Sequence, residues 1–146
     1  MAPLTAYSGI LKRWDDLDWQ DFVGSKVAVL SIEGGGGATD DAVVLAIEYA
    51  PDFDIATHHH YCGHIEVILE GELKIGDHWE RPGDFRVIPA NGSYGPIKSG
   101  PNGCKGLEFF PDKKAIPPTV DDPDAPVTGD PKVLRDRLMT LLGLEG

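Results

Sequence analysis

Residues 57–71 read THHHYCGHIEVILEG, and four of the chain's five histidines fall within the seven residues from His58 to His64, with Glu66 two positions further on. Side chains alternate along an extended chain, so His58 and His60 share one face while His59 takes the other. A turn at Tyr61-Cys62-Gly63 would bring the chain back with His64 and Glu66 together on one face of the next strand. Three imidazoles and a carboxylate can then converge. Neutral imidazole is a common ligand for zinc, iron, nickel and copper, and a cluster of this kind selects such metals over magnesium or calcium. Two other readings stay open. A surface strand would turn these groups to water and bury Ile65, Val67 and Leu69, and alternation does not say which face is inside. A closed zinc site on His60, Cys62 and His64 would use a thiolate, although the i, i+2, i+4 spacing on one short turn argues against it.

Working outward, the punctuation is regular. Gly63, Gly71, Gly76, Pro82-Gly83, Pro89 to Gly92, Gly95-Pro96 and Gly100-Pro101 bracket the short runs HIEVILE, ELKI, DFRVI and CKGLEFF. Upstream, Lys26 to Glu33 (KVAVLSIE) and Asp41 to Ala50 (DAVVLAIEYA) also read as strands, joined by a loop at Gly34–Gly37. That glycine run lacks the spacing and the following Lys-Ser/Thr of a phosphate cradle. Short strands at this spacing predict an all-β sandwich or barrel, since a parallel sheet would need helices between them. Residues 1–25 carry Trp14, Leu17, Trp19 and Phe22 among aspartates and are expected to form an arm laid on the body. The barrel spans 26–110, and 111–129, with five prolines, is expected to be an extended surface linker. A short helix follows over 130–142, with Asp130 as N-cap, Pro131 at the first helical position and an apolar stripe of Val133, Leu134, Leu138, Leu141 and Leu142.

The chain has 146 residues, one domain's worth, and 41% of them are hydrophobic, enough for a packed core. Thirteen Lys and Arg against 24 Asp and Glu give a net charge of −11, which repels phosphate backbones and anionic lipid. Neither nucleic acid nor membrane is therefore an expected partner. No stretch approaches the roughly 20 apolar residues that cross a bilayer, and the N-terminus lacks a secretory pattern, so a cytoplasmic location is expected. Cys62 and Cys104 are too few for a disulfide scaffold and are expected to pack as small apolar groups, while His78 is expected at the surface.

The spacing His58-x-His60, three residues, His64, six residues, Gly71 matches the first cupin motif, G-x5-HxH-x3,4-E-x6-G. His64 stands at the usual Glu position and Asp52 at the first Gly. Gly83, five residues, then Pro89 matches the second motif, G-x5-PxG-x2-H, with Asn91 at its glycine and Tyr94 at its histidine. Over residues 43–110 the chain thus resembles a single-domain cupin. Tyr94-Gly95-Pro96, Ser99-Gly100 and Gly103-Cys104 resemble the branch of acetylacetone and dihydroxyacetophenone dioxygenases.

The resemblance implies a double-stranded β-helix, the RmlC-like jelly-roll barrel, with one divalent transition metal in its mouth, Fe2+ first, with Zn2+, Ni2+ or Mn2+ as alternatives. His58, His60 and His64 are the implied ligands. Tyr94 is a phenolate ligand, a general acid/base, or a phenol filling the space of the missing histidine; Glu66 is a fourth ligand or a base, or else an exposed strand carboxylate. The expected activity is that of a metal-dependent enzyme on a small oxygenated organic substrate, a C–C-cleaving dioxygenase of diketone or aryl ketone type. A non-redox lyase, isomerase or cyclase is the alternative, and a metal- or ligand-sensing module the third class. A homodimer is expected, because a small barrel leaves edge strands and the N-terminal aromatics need something to cover.

Overall fold

The structure is a computed structural model and describes residues 9–32 and 41–144. The expected loop at Gly34–Gly37 lies outside the described residues. Ten strands and one α-helix follow in order: β1 Gln20–Phe22, β2 Ser25–Ser31, β3 Val43–Tyr49, β4 Asp54–Ile55, β5 His58–His59, β6 His64–Ile75, β7 His78–Glu80, β8 Phe85–Ile88, β9 Ile97–Phe110, β10 Thr119–Val120 and α1 Pro131–Leu141. The main sheet runs β1-β2-β3-β9-β6-β7, with β4 also paired to β9 and β8 to β6, and every pairing is antiparallel. A second, two-stranded sheet joins β10 to β5.

Alternation decides which residues face the barrel interior. On β3, Val43, Leu45 and Ile47 are buried; on β9, Cys104, Gly106 and Phe110 are. They feed two apolar clusters, one around Val27, Leu45, Phe110 and Ile116 and one around Ile68, Leu73, Ile88 and Ile97. Each fully buried aliphatic or aromatic side chain contributes about 1.5–3 kcal/mol of transfer free energy.

Several sequence boundaries dissolve. HIEVILE and ELKI are one strand, because Gly71 (φ +74°) opens a bulge in β6 rather than a turn. A Cβ there would lie 2.3 Å from the Gly103 carbonyl, so only glycine fits. Gly100-Pro101 does not end β9 either. Successive β6 partners jump from Cys104 to Ser99 between Gly71 and Leu73, and Pro101 falls in the stretch that bows out of the ladder, where its missing N–H loses no bond. The two motif glycines that this chain replaces explain themselves: Asp52 has φ +53° and Asn91 φ +62°. Asp and Asn tolerate the left-handed region best after glycine, so both departures keep the turn.

The segment 111–129, expected as a surface linker, is instead a strap bonded to the barrel. It buries Ile116, donates from Asp121 N–H to the Thr57 carbonyl, and supplies β10. Its prolines exclude helix and long strand but leave carbonyls and alternate side chains free to dock. The arm ends in β1, hydrogen-bonded to β2, and Trp14 and Trp19 pack at 5.1 Å, with the Trp14 indole donating to Glu48. The C-terminal helix keeps its Asp130 cap, accepting from Lys132 N–H, which is worth about 1 kcal/mol. Leu134 and Leu138 turn toward the barrel and Leu142 is buried, whereas Val133, expected in the stripe, is exposed. No helix of the described residues is long and apolar enough to cross a membrane.

Candidate functional site

His64 and Glu66 are both 3% exposed, while Ile65 and Leu69 stand 41% and 46% exposed on the outside of β6. The polar members of the strand therefore face inward, which corrects the surface-strand reading. His58 and His60, also buried, enter from β5 and the residues after it, and a bridge between His58 and Tyr94 fixes the Tyr94 loop against them. His59 points the other way and pairs with Asp121 at 2.9 Å, as alternation requires.

The three rings converge on one atom. The Tyr94 hydroxyl lies 3.1 Å from His58 Nε2, 3.0 Å from His60 Nε2 and 3.2 Å from His64 Nε2. The His58 Nδ1–H donates to the Ala56 carbonyl at 2.8 Å and the His60 Nδ1–H to the Ile116 carbonyl at 2.5 Å, which leaves both Nε2 lone pairs aimed at the shared point. Ile116 belongs to the strap, so the segment read as a linker sets the tautomer of His60. The third ring, His64, stacks on Phe110 at 4.4 Å and holds Glu66 Oε2 at 2.9 Å through Nε2; its Nδ1 is buried without a hydrogen-bond partner. Burial lowers the pKa of His58 and takes that of His60 down to about 3, so both stay neutral near pH 7. The same burial, reinforced by the charges of Glu66 and Glu108, pushes the Tyr94 phenol well above its ordinary range and opposes the phenolate form.

This donor set suits a metal. One hydroxyl proton cannot satisfy the lone pairs of two fixed imidazoles, and a buried unpaired acceptor is costly. Four donors about 2.0–2.1 Å from a zinc-sized ion sit about 3.3 Å apart, close to the separations between the phenol oxygen and the three nitrogens. Among the described residues no group of His, Cys, Asp or Glu is spaced to hold an ion as it stands. The Tyr94 hydroxyl lies among the three Nε2 atoms, so a metal would either take that oxygen as a donor or displace it. The alternative zinc site on His60, Cys62 and His64 is not formed. Cys62 packs against the apolar cluster around Val27, Leu45, Phe110 and Ile116 with its thiol on the Asp112 carbonyl, and burial raises its pKa, as it raises that of Cys104 to about 12.

A cavity of about 480 Å³ is lined by His58, His60 and Tyr94, by Tyr49 and Glu108, and by Leu134 and Leu138 of α1. Glu108 and Tyr49 are absent from the sequence-derived site. Glu108 stands directly across from Glu66 on paired strands, and Tyr49 donates to it at 3.4 Å. Burial, then the charge of Glu66, lifts the Glu108 pKa well above the carboxylate range; burial, then Glu108, lifts Tyr49 likewise. The signal lay in CKGLEFF, where the alternation that buries Cys104, Gly106 and Phe110 turns Glu108 inward as well.

No model of a known protein family matches the chain, and no curated protein matches it in sequence. Solved structures do. An RmlC-like cupin from Shewanella frigidimarina aligns with TM-score 0.56 at 17% identity over 70% of this chain and 90% of its own. Rhodobacter sphaeroides SigE in complex with the anti-sigma ChrR gives 0.56 at 17% over 68%, and the DMSP lyases RdDddP and RnDddQII give 0.57 at 15% over 73%. The chain spans about half (52%) of the first of these two and 63% of the second. At these identities the likeness establishes the fold, a cupin-type jelly-roll barrel, and the chemistry has to come from the site.

Proposed function

We propose that this chain is a metal-dependent cupin enzyme acting on a small oxygenated organic molecule, with one divalent transition metal, iron(II) first and zinc, nickel or manganese as alternatives, held by His58, His60 and His64. The observation that carries the reading is the convergence of three buried Nε2 atoms within 3.0–3.2 Å of one oxygen, two of them with tautomers set by backbone carbonyls. When bound, such an ion polarises a substrate carbonyl oxygen and, as iron(II), gives access to dioxygen chemistry.

The chain's own residues supply the remainder. The Ala56 and Ile116 carbonyls hold the His58 and His60 rings in register, and the bond from His64 Nε2 to Glu66 would give way when that nitrogen takes the metal. Apolar side chains, among them Leu134 and Leu138 of α1, make up most of the cavity wall, and Tyr94 keeps its proton on the hydroxyl beside the histidines. The first reading of the reaction is oxidative C–C cleavage of a β-dicarbonyl or aryl ketone, molecules whose apolar bodies and paired oxygens suit a cavity of about 480 Å³. A second reading, a non-redox lyase, isomerase or cyclase, is favoured by Glu108. Its carboxyl, whose hold on a proton burial and the charge of Glu66 strengthen, can give a proton at the cavity wall and take one back.

Cobalt(II) titration followed by visible absorbance tests the site, and oxygen uptake by the iron(II)-loaded protein with pentane-2,4-dione and hydroxyacetophenones tests the reaction. Saturable cobalt absorbance with substrate-dependent oxygen consumption supports the first reading. Saturable absorbance without oxygen consumption, but with proton exchange at the diketone methylene, moves the assignment to the second. Absence of cobalt binding overturns both.

A further inference from the structure

The outward face of the main sheet is arranged in rows. Strand register sets Val87, Ile65 and Phe109 side by side across β8, β6 and β9, with Phe85, Val67 and Leu107 in the row beside them. The next row across β6, β9, β3 and β2 is Glu70, Lys105, Glu48 and Lys26, alternating in sign, with Lys105 Nζ 3.2 Å from Glu70 and 4.0 Å from Glu48. Toward β2 and β3 the face is closed: Trp14 bonds Glu48, and Ala28 and Ala46 are 1% and 0% exposed. Across β8, β6 and β9 it is open, with Val87 75%, Phe85 70%, Ile65 41% and Phe109 40% exposed.

We propose that this open face is the interface between two copies of this chain. Soluble chains rarely leave contiguous apolar surface of this kind in water. With about 200 Å² per large side chain, the four open residues alone expose on the order of 400 Å². A standard interface buries about 800 Å² per partner, with an apolar core and a polar rim, so the two apolar rows are the size of its core and the charged row forms its rim. Charge selects a second copy as the occupant. Two chains of net charge −11 repel one another over most of their surface, but this face meets its copy through uncharged rows and a rim of two anions and two cations that cancel. A strongly basic or acidic partner would find no complementary charge here. A flat sheet face is covered by another sheet face packed at about 10 Å, which an antiparallel barrel of the same chain provides.

Sedimentation velocity at tens of micromolar decides the matter, run on the wild type, on Phe85→Asp/Val87→Asp, on Phe85→Lys/Val87→Lys and on a chain lacking residues 1–8. Both double variants replace exposed residues, and unchanged far-ultraviolet dichroism verifies their fold. The expected result is a dimer of twice 15.8 kDa for the wild type, a dimer of twice its own shorter chain's mass for the truncated chain, and a monomer for both double variants; using both charge signs separates loss of the apolar core from added repulsion. A monomeric wild type overturns the proposal, and it identifies residues 1–8 as the cover if only the truncated chain associates. A dimer that persists in either double variant also overturns it, because the contact then lies elsewhere.

Discussion

The Tyr94 hydroxyl lies 3.0 Å from His60 Nε2 and 3.1 Å from His58 Nε2, and its one proton cannot satisfy both lone pairs. A phenol whose pKa is raised by burial and by two neighbouring glutamates is a poor anionic ligand. Tyr94→Phe is therefore expected to keep cobalt(II) stoichiometry while lowering turnover by about 10²–10⁴-fold, the usual contribution of an acid/base group. Tyr94→His is expected to bind cobalt(II) about ten-fold more tightly, because imidazole is the better donor. Cobalt absorbance and steady-state rates measure the two effects.

His60 makes the metal-free protein sensitive to acid. Its folded pKa of about 3 lies below the unfolded value near 6.5, so the unfolded chain binds the proton first and stability falls as pH drops below about 6.5. Between pH 7 and 5 the loss from this residue is about 2 kcal/mol. Urea unfolding of the chelated protein at the two pH values should show that loss, and His60→Asn should shrink it.

Glu108 acts in the other direction. Its folded pKa is raised, so the unfolded chain releases its proton first and stability falls as pH rises from the ordinary carboxylate range toward the folded value. Glu108→Gln removes that dependence and is expected to stabilise the protein at pH 7 by about 1 kcal/mol, while lowering turnover if the proton-transfer reading holds. Thermal melts from pH 5 to 8 on both proteins check the slope.

The sequence carried the histidines because HxH and H-x-E obey the strand period, and the structure buries all four of these residues together. The barrel was legible from its punctuation. Glu108 and Tyr49 were not singled out, since a lone inward carboxylate is recognised only when its strand's neighbours are known to be buried, and Glu66 stands opposite it only in the folded register. The strap escaped for a different reason: five prolines exclude helix and long strand but say nothing of docking, and the contact from the Ile116 carbonyl to His60 spans 56 positions. The long strands β6 and β9 were cut short because Gly71 and Gly100-Pro101 read as turns, whereas the chain absorbs them as bulges within the ladder.

The central claim is that His58, His60 and His64 hold one ion together. Element analysis of protein purified without chelator, compared with the triple variant His58→Ala/His60→Ala/His64→Ala, tests it most directly. The account predicts about one divalent transition metal per chain in the wild type and almost none in the triple variant, with each single replacement lowering metal content. A triple variant that keeps the full metal content would contradict it, as would a wild type that binds none even after incubation with iron(II), zinc(II) and cobalt(II).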